Sequence, residues 1–203
     1  AKMDLKNESG EKISKLVFSL NPGFTVQSVE LDGGDVDFDR EHHILTVNVA
    51  SGISPESNVT MQVKYGGNIS AHSSYLDVLE ELEEKVNNIG PYKMPKEFGF
   101  VTPDYVLLTQ ENLWYPIPGT THGSEIFPKW KKDFFDFTIN VKTNENLTVI
   151  TQGDPVVENN GEYSFKSSQP LPQLSLVIGE YTKRSIVVDS VEYSLFTHPE
   201  HNY

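Results

Sequence analysis

The stretch Phe134-Phe-Asp-Phe-Thr-Ile-Asn-Val-Lys142 decides the fold class of this 203-residue chain. From Phe135 onward, apolar side chains occupy every second position and polar ones lie between them. Successive side chains of a β-strand point to opposite faces, so this alternation predicts a strand with one buried and one solvated face.

The same alternation recurs along most of the chain. It predicts further strands at residues 16–20, 26–31, 45–49, 59–65, 105–108, 147–151, 162–165, 174–178, 185–188 and 191–196. Turn-forming sequences such as Asn21-Pro-Gly23 and Asn159-Asn-Gly161 separate them. Many short strands with such turns predict an all-β fold, in which antiparallel sheets stack as a β-sandwich.

One segment breaks the two-residue period. Between residues 74 and 89, apolar side chains recur at helical spacing, at Tyr75, Leu79, Leu82, Val86 and Ile89. This predicts a single amphipathic helix inserted between strands, capped by Ser73 or Ser74 and stopped by Gly90-Pro91.

Residues 108–132 have no clear period and hold both tryptophans of the chain, Trp114 and Trp130. A long aromatic loop of this kind is either folded onto a sheet by its own rings or used as a contact surface. Both interpretations stay open at this point. Exposed aromatic rings also stack on sugars, so the second interpretation includes carbohydrate binding.

Charge excludes some classes of partner. The chain has 29 acidic and 16 basic residues, a net charge of −13. Nucleic acids and anionic membrane surfaces require a basic footprint, so neither is predicted as a partner. No apolar run approaches the ~20 residues that cross a bilayer, so any membrane attachment would come through other segments of a longer protein.

No catalytic or metal-binding residue is predicted in this chain. His198 and His201 are three positions apart with Pro199 between them, whereas the helical zinc motif places its histidines four positions apart. The alternating Asp35, Asp37 and Asp39 do not fit a calcium-binding loop either.

The last residues continue a strand pattern. We therefore expect residues 1–203 to be one β-sandwich domain of a longer polypeptide. Residues 184–203 would form its last strands and the link to a following domain.

Several segments, in order, resemble the amino-terminal β domain of the zinc aminopeptidase family that includes aminopeptidase N. The most specific is Phe165-Lys-Ser-Ser-Gln-Pro-Leu-Pro-Gln-Leu-Ser-Leu-Val-Ile-Gly-Glu-Tyr181, preceded by Val59-Thr-Met-Gln-Val-Lys-Tyr-Gly-Gly-Asn-Ile69. The run Leu107-Leu-Thr-Gln-Glu-Asn-Leu-Trp-Tyr-Pro116 is similar to the bacterial branch in which a peptidase-like ectodomain is fused to an ABC-transporter-type permease.

The resemblance implies a saddle-like, non-catalytic domain that packs on a following catalytic domain and shapes the peptide-binding cleft. Zinc and the general-base glutamate of a metallo-aminopeptidase would belong to that following domain. The permease-fused branch implies a location on the extracytoplasmic side of a membrane. The full-length protein would then be a hydrolase, although this chain alone is not predicted to be an enzyme.

The resemblance also implies a substrate-binding segment. In the family, a glutamine near this point helps to bind the α-amine of the peptide, and Gln110 is the matching position. An amide oxygen accepts a proton from an ammonium group without neutralising it. The predicted substrate-binding residues are Gln110, Glu111, Trp114 and Tyr115. The alternative for Gln110 is a loop residue that caps backbone groups.

A different class of function stays open beside this one. It is a stand-alone β-sandwich that binds another protein or a carbohydrate through the aromatic loop 108–132.

Overall fold

The computed structural model describes residues 1–70, Ser73, 98–120 and 133–201, and the backbone of residues 88–89 and 92–93. The strands, in chain order, are β1 (Lys2–Lys6), β2 (Ile13–Ser19), β3 (Phe24–Leu31), β4 (Gly34–Asp35), β5 (Phe38–Glu41), β6 (Ile44–Ile53), β7 (Asn58–Gly67), β8 (Asn88–Ile89), β9 (Tyr92–Lys93), β10 (Phe100–Val101), β11 (Tyr105–Leu108), β12 (Ile117–Pro118), β13 (Thr138–Lys142), β14 (Thr148–Thr151), β15 (Asp154–Asn159), β16 (Glu162–Lys166), β17 (Leu176–Gly179), β18 (Thr182–Val188) and β19 (Val191–Thr197). Short 3-10 turns lie at Gln110–Asn112 and Pro199–His201.

The strands pair in antiparallel sheets, which confirms the predicted all-β sandwich. The chain divides into two compact units. The first unit contains residues 1–98 and 110–130, and the second contains residues 99–109 and 131–203. The prediction of a single domain over 1–203 stays a prediction.

The first unit is built from two four-stranded sheets, with strand orders β1-β7-β3-β4 and β12-β2-β6-β5. Alternating apolar residues of both sheets meet in one buried cluster, formed by Phe18, Val29, Leu45, Val47, Met61 and Val63. None of these side chains is more than 2% exposed. Burial of apolar surface from both sheets therefore holds the sandwich together.

The second unit contains a four-stranded sheet, β10-β11-β17-β14, a three-stranded sheet, β13-β16-β15, and the two-stranded hairpin β18-β19. Its largest buried side chains come mainly from the first two sheets and the turns beside them: Leu108, Leu147, Val149, Phe165, Leu174, Leu176 and Ile178.

The stretch around Phe135 forms its regular strand later than its alternation predicts. Regular pairing begins at Thr138, and before it Phe135 forms an isolated bridge with Leu171. Within the strand, Ile139 and Val141 are half-buried and the residues between them are exposed, as predicted.

The predicted helix at 74–89 falls largely outside the described residues, because 74–87 are not among them. Its predicted end is wrong. Asn88–Ile89 is a strand that pairs with Tyr92–Lys93. Ile89 and Tyr92, only three positions apart, are paired as strand residues, and this local antiparallel pairing replaces the last turn of the predicted helix.

Candidate functional site

The four residues that the sequence analysis assigns to substrate binding lie in and just after one tight turn. Gln110–Asn112 is a single 3-10 turn, closed by a 2.9 Å hydrogen bond from the Leu113 backbone N–H to the Gln110 carbonyl oxygen. Leu113 is 1% exposed and has a φ of 53°. Positive φ is uncommon for a branched residue, so the surrounding structure must hold this backbone in place.

Asn21 is the buried residue that anchors this turn through hydrogen bonds. Its side chain is fully buried and makes four hydrogen bonds. Nδ2 donates to the carbonyl oxygens of Asn112 (2.7 Å) and Ser70 (3.2 Å), and Oδ1 accepts from the backbone N–H groups of Ser70 and Gly23, both at 2.9 Å. An amide side chain has two donors and two main acceptor positions, so Asn21 is fully satisfied. It therefore ties three segments of the chain together.

The backbone of Asn21 adds further bonds to the same assembly. Its N–H donates to the Leu113 carbonyl oxygen at 2.8 Å, and its own carbonyl oxygen accepts from Nη2 of Arg40 at 2.8 Å. Arg40 also donates to the Leu20 carbonyl oxygen. Burial lowers the pKa of the Arg40 guanidinium. The close approach also needs Gly23, because an added Cβ would overlap the Asn68 carbonyl oxygen.

A tyrosine fixes the chain just after the turn. The Tyr65 hydroxyl, on β7, donates to the Trp114 carbonyl oxygen at 3.0 Å. Burial raises the pKa of Tyr65 to about 12, because the ionised phenol would lose its hydration. Its ring also packs against Phe24, with ring centroids 5.2 Å apart.

The segment then joins a sheet as its edge strand. Ile117 and Pro118 pair with Ser19 and Phe18 of β2, and the Ser19 hydroxyl donates to the Gly119 carbonyl oxygen at 2.8 Å. The first half of the aromatic loop is therefore ordered structure of the first unit, which the lack of periodicity did not predict. The other half, with Trp130, lies outside the described residues.

The predicted site residues differ in how they are exposed. Gln110 is half-buried, and in the part of the chain that the structure describes its side-chain amide has no hydrogen-bond partner. The alternative for Gln110, a loop residue that caps backbone groups, stays a prediction. Glu111 is exposed beside it. A free amide and a carboxylate next to each other on a rigid turn provide acceptors for a cationic group.

The two aromatic residues pack on each other. Trp114 and Tyr115 are both half-buried, with ring centroids 5.0 Å apart in an edge-to-face arrangement. The Trp114 Nε1 is buried and has no acceptor within the described residues.

Asn21 is the functional candidate that sequence reasoning missed. Its sequence signal, Asn21-Pro-Gly23, predicts only a turn, and nothing in the sequence connects it with residues 91 positions later. Within the described ranges, no three His, Cys, Asp or Glu side chains lie close enough together to hold a metal ion. No described helix has the length and apolar character needed to span a membrane.

Comparison with known proteins gives a likeness in structure alone. No protein-family profile and no curated protein matches the sequence. The fold is similar to that of an M1 zinc metallopeptidase from Deinococcus radiodurans. A mutant of that enzyme bound to a Tyr-Ser-Ala substrate matches with a TM-score of 0.63 at 16% identity, over 95% of this chain and 41% of that one.

A second solved structure, leukotriene A4 hydrolase from Saccharomyces cerevisiae, matches with a TM-score of 0.54 and 18% identity, over 91% of this chain. The chain spans only 26% of the yeast enzyme and 41% of the bacterial one. At these identities the likeness shows a shared fold. It agrees with the predicted resemblance to one domain of a zinc aminopeptidase.

Proposed function

We propose that this chain is the non-catalytic amino-terminal domain of a zinc aminopeptidase-like protein, which packs on the catalytic domain and helps to shape its peptide-binding cleft. One observation carries the proposal. The match to the D. radiodurans M1 zinc metallopeptidase covers 95% of this chain but only 41% of the peptidase. A fold that corresponds to less than half of an enzyme is expected to act together with the rest of it.

The chemistry of hydrolysis would lie in the other part of the protein. A bound zinc ion supplies a water molecule of lowered pKa and polarises the peptide carbonyl group. The described part of this chain offers no cluster of metal ligands, so its own residues would bind and orient the peptide instead. The other part of the protein would thus catalyse hydrolysis, and this domain would contribute to the affinity for the peptide.

The turn at Gln110 is suited to that contribution. Its backbone is held by Asn21, which is fully buried and fully hydrogen-bonded, so peptide binding would not have to order the backbone of this turn. The amide oxygen would accept a proton from the peptide α-ammonium group, and the exposed carboxylate of Glu111 would add a favourable charge. Trp114 and Tyr115 would form the apolar side of the same wall.

Kinetics of the parent polypeptide test this role. Replacing Gln110 by Ala is expected to raise KM for a peptide with a free α-amine by roughly tenfold, the effect of losing one hydrogen bond to a charged group, with a smaller change in kcat. Gln62→Ala, an exposed glutamine on β7, is the matched control. An unchanged KM for Gln110→Ala would contradict the assignment.

We also propose, from the resemblance of residues 107–116, that the parent belongs to the bacterial permease-fused branch and that this domain lies on the extracytoplasmic side. The net charge of −13 agrees with a domain that does not itself bind the anionic membrane surface. Protease added to spheroplasts of the source bacterium should cleave this domain. Protection until the cells are lysed would place it in the cytoplasm.

A further inference from the structure

The hairpin β18-β19 is exposed over almost its whole length, as is β15 in the same unit. Every side chain of β18 is exposed, and so are the first five of β19. Ile186 lies opposite Tyr193, and Val188 lies opposite Val191. Residues that face each other across an antiparallel pair point to the same side of the ribbon, so the two sides of the hairpin can be compared.

The two sides have opposite character. One side, the apolar face, consists of Ile186, Val188, Val191, Tyr193 and Leu195, with Arg184 at its end. Its five apolar side chains are between 45% and 63% exposed. The other side, the polar face, carries Lys183, Ser185, Glu192 and Ser194, together with the exposed Val187 and the half-buried Phe196, whose ring lies under the Lys183 ammonium.

On the polar face, charged and polar side chains already pair with one another. The Lys183 ammonium lies 3.4 Å from the Glu192 carboxylate, and the Ser194 hydroxyl donates to that carboxylate at 3.1 Å. Hydrogen bonds from Ser185 and Ser194 and the nearby Lys183 lower the pKa of Glu192. Such a face needs no further partner. On the apolar face, Ile186, Val188, Val191 and Leu195 have hydrocarbon side chains, which hydrogen bonds and charges cannot stabilise in water.

A two-stranded ribbon with an uncovered apolar face is marginal by itself. Contiguous exposed apolar side chains on such a ribbon mark an interaction surface. We infer that the apolar face of the hairpin is the surface on which the remainder of the parent polypeptide, the catalytic domain of the proposed function, docks through an apolar patch of its own.

Two observations favour this occupant. The solved M1 metallopeptidase has more than half of its length outside the region shared with this chain, which provides a covalently linked partner at high effective concentration. A second copy of this chain would bring another 13 negative charges to the contact, and this repulsion opposes self-association. The inference rests on the proposed function for the identity of the partner.

Hydroxyl-radical footprinting of the parent polypeptide tests the docking. Tyr193 is 58% exposed and Tyr105 is 37% exposed, so without a cover Tyr193 is expected to oxidise faster. If the apolar face is docked, Tyr193 will oxidise more slowly than Tyr105. Oxidation of Tyr193 faster than Tyr105 in a parent that hydrolyses peptides would overturn the docking and leave the proposed function standing.

Two adjacent valines provide a matched pair of variants. Val188 lies on the apolar face and Val187 on the polar face, and Val187 is the more exposed of the two. Val188→Asp is expected to undock the hairpin and increase the oxidation of Tyr193 several-fold, whereas Val187→Asp leaves it unchanged. Equal effects of the two variants would overturn the inference.

The molecular mass of the parent polypeptide in solution shows whether its own catalytic domain or a second copy of the chain covers the apolar face. Protection of Tyr193 in a monomeric parent supports docking within one polypeptide. Protection that accompanies a doubled mass and disappears on dilution would overturn the inference in favour of a second copy. A parent without a peptidase region would instead refute the proposed function, whatever the behaviour of Tyr193.

Discussion

Strand β6 and strand β19 have the same alternating pattern and opposite surroundings. Leu45 on β6 is 0% exposed, because the facing sheet of the first unit covers it, whereas Leu195 on β19 is 60% exposed. An alternating sequence pattern therefore specifies which side chains share a face of a strand, but it does not specify which part of the molecule covers that face. In the first unit the cover is a second sheet of the same chain. For the hairpin we infer that it is another domain.

The largest expected effect separates these two leucines directly. Leu45→Ala should lower the free energy of unfolding of the 203-residue chain by about 4 kcal/mol, because it leaves a cavity in a closed core. Leu195→Ala should change it by less than about 0.5 kcal/mol, since the side chain is already in solvent. Denaturant titration of both variants measures the contrast. Equal losses would mean that the hairpin face is covered within this chain.

A second contrast concerns the buried amide under the candidate site. Asn21→Ala should cost about 3 kcal/mol, because several buried backbone groups lose their hydrogen-bond partner at once. Asn48→Ala is the control, since its side chain makes one exposed hydrogen bond, to Asp39 at 2.9 Å. Similar midpoints for the two variants in urea would show that Asn21 does not hold the turn.

The smallest effect comes from Tyr65 and depends on pH. Its pKa is about 12 in the folded chain and 10.0 without burial, so the unfolded chain loses the phenolic proton first. The contribution to stability is complete below pH 10 and is lost as the pH rises from 10 towards 12. Tyr65→Phe should cost about 1 kcal/mol at pH 7. It should also make unfolding less sensitive to pH above 10, and an unaltered alkaline slope would be inconsistent with this assignment.

The sequence predicts local features of the chain better than distant ones. Period-two alternation correctly locates the strands around Leu45 and Ile139, because the spacing of side chains along a strand is a local property. Regular pairing before Thr138 was predicted wrongly, since pairing requires a partner strand and not only an alternating pattern.

The candidate site depends on contacts between distant residues. The bond from Asn21 to Asn112 and the bond from Tyr65 to Trp114 cross 91 and 49 positions of the sequence, and no local pattern encodes them. The positive φ of Leu113 is likewise imposed by these contacts. Gln110, Glu111, Trp114 and Tyr115 were proposed from a family resemblance. The structure adds that they follow one anchored turn.

The central proposal is that this chain is one domain of a zinc aminopeptidase-like protein. Sequencing the coding region downstream of the Tyr203 codon tests it most directly. The account predicts a following domain with a His-Glu-x-x-His motif and a third, glutamate ligand, the set that binds catalytic zinc. A stop codon at that point, or an unrelated following domain, would contradict the claim.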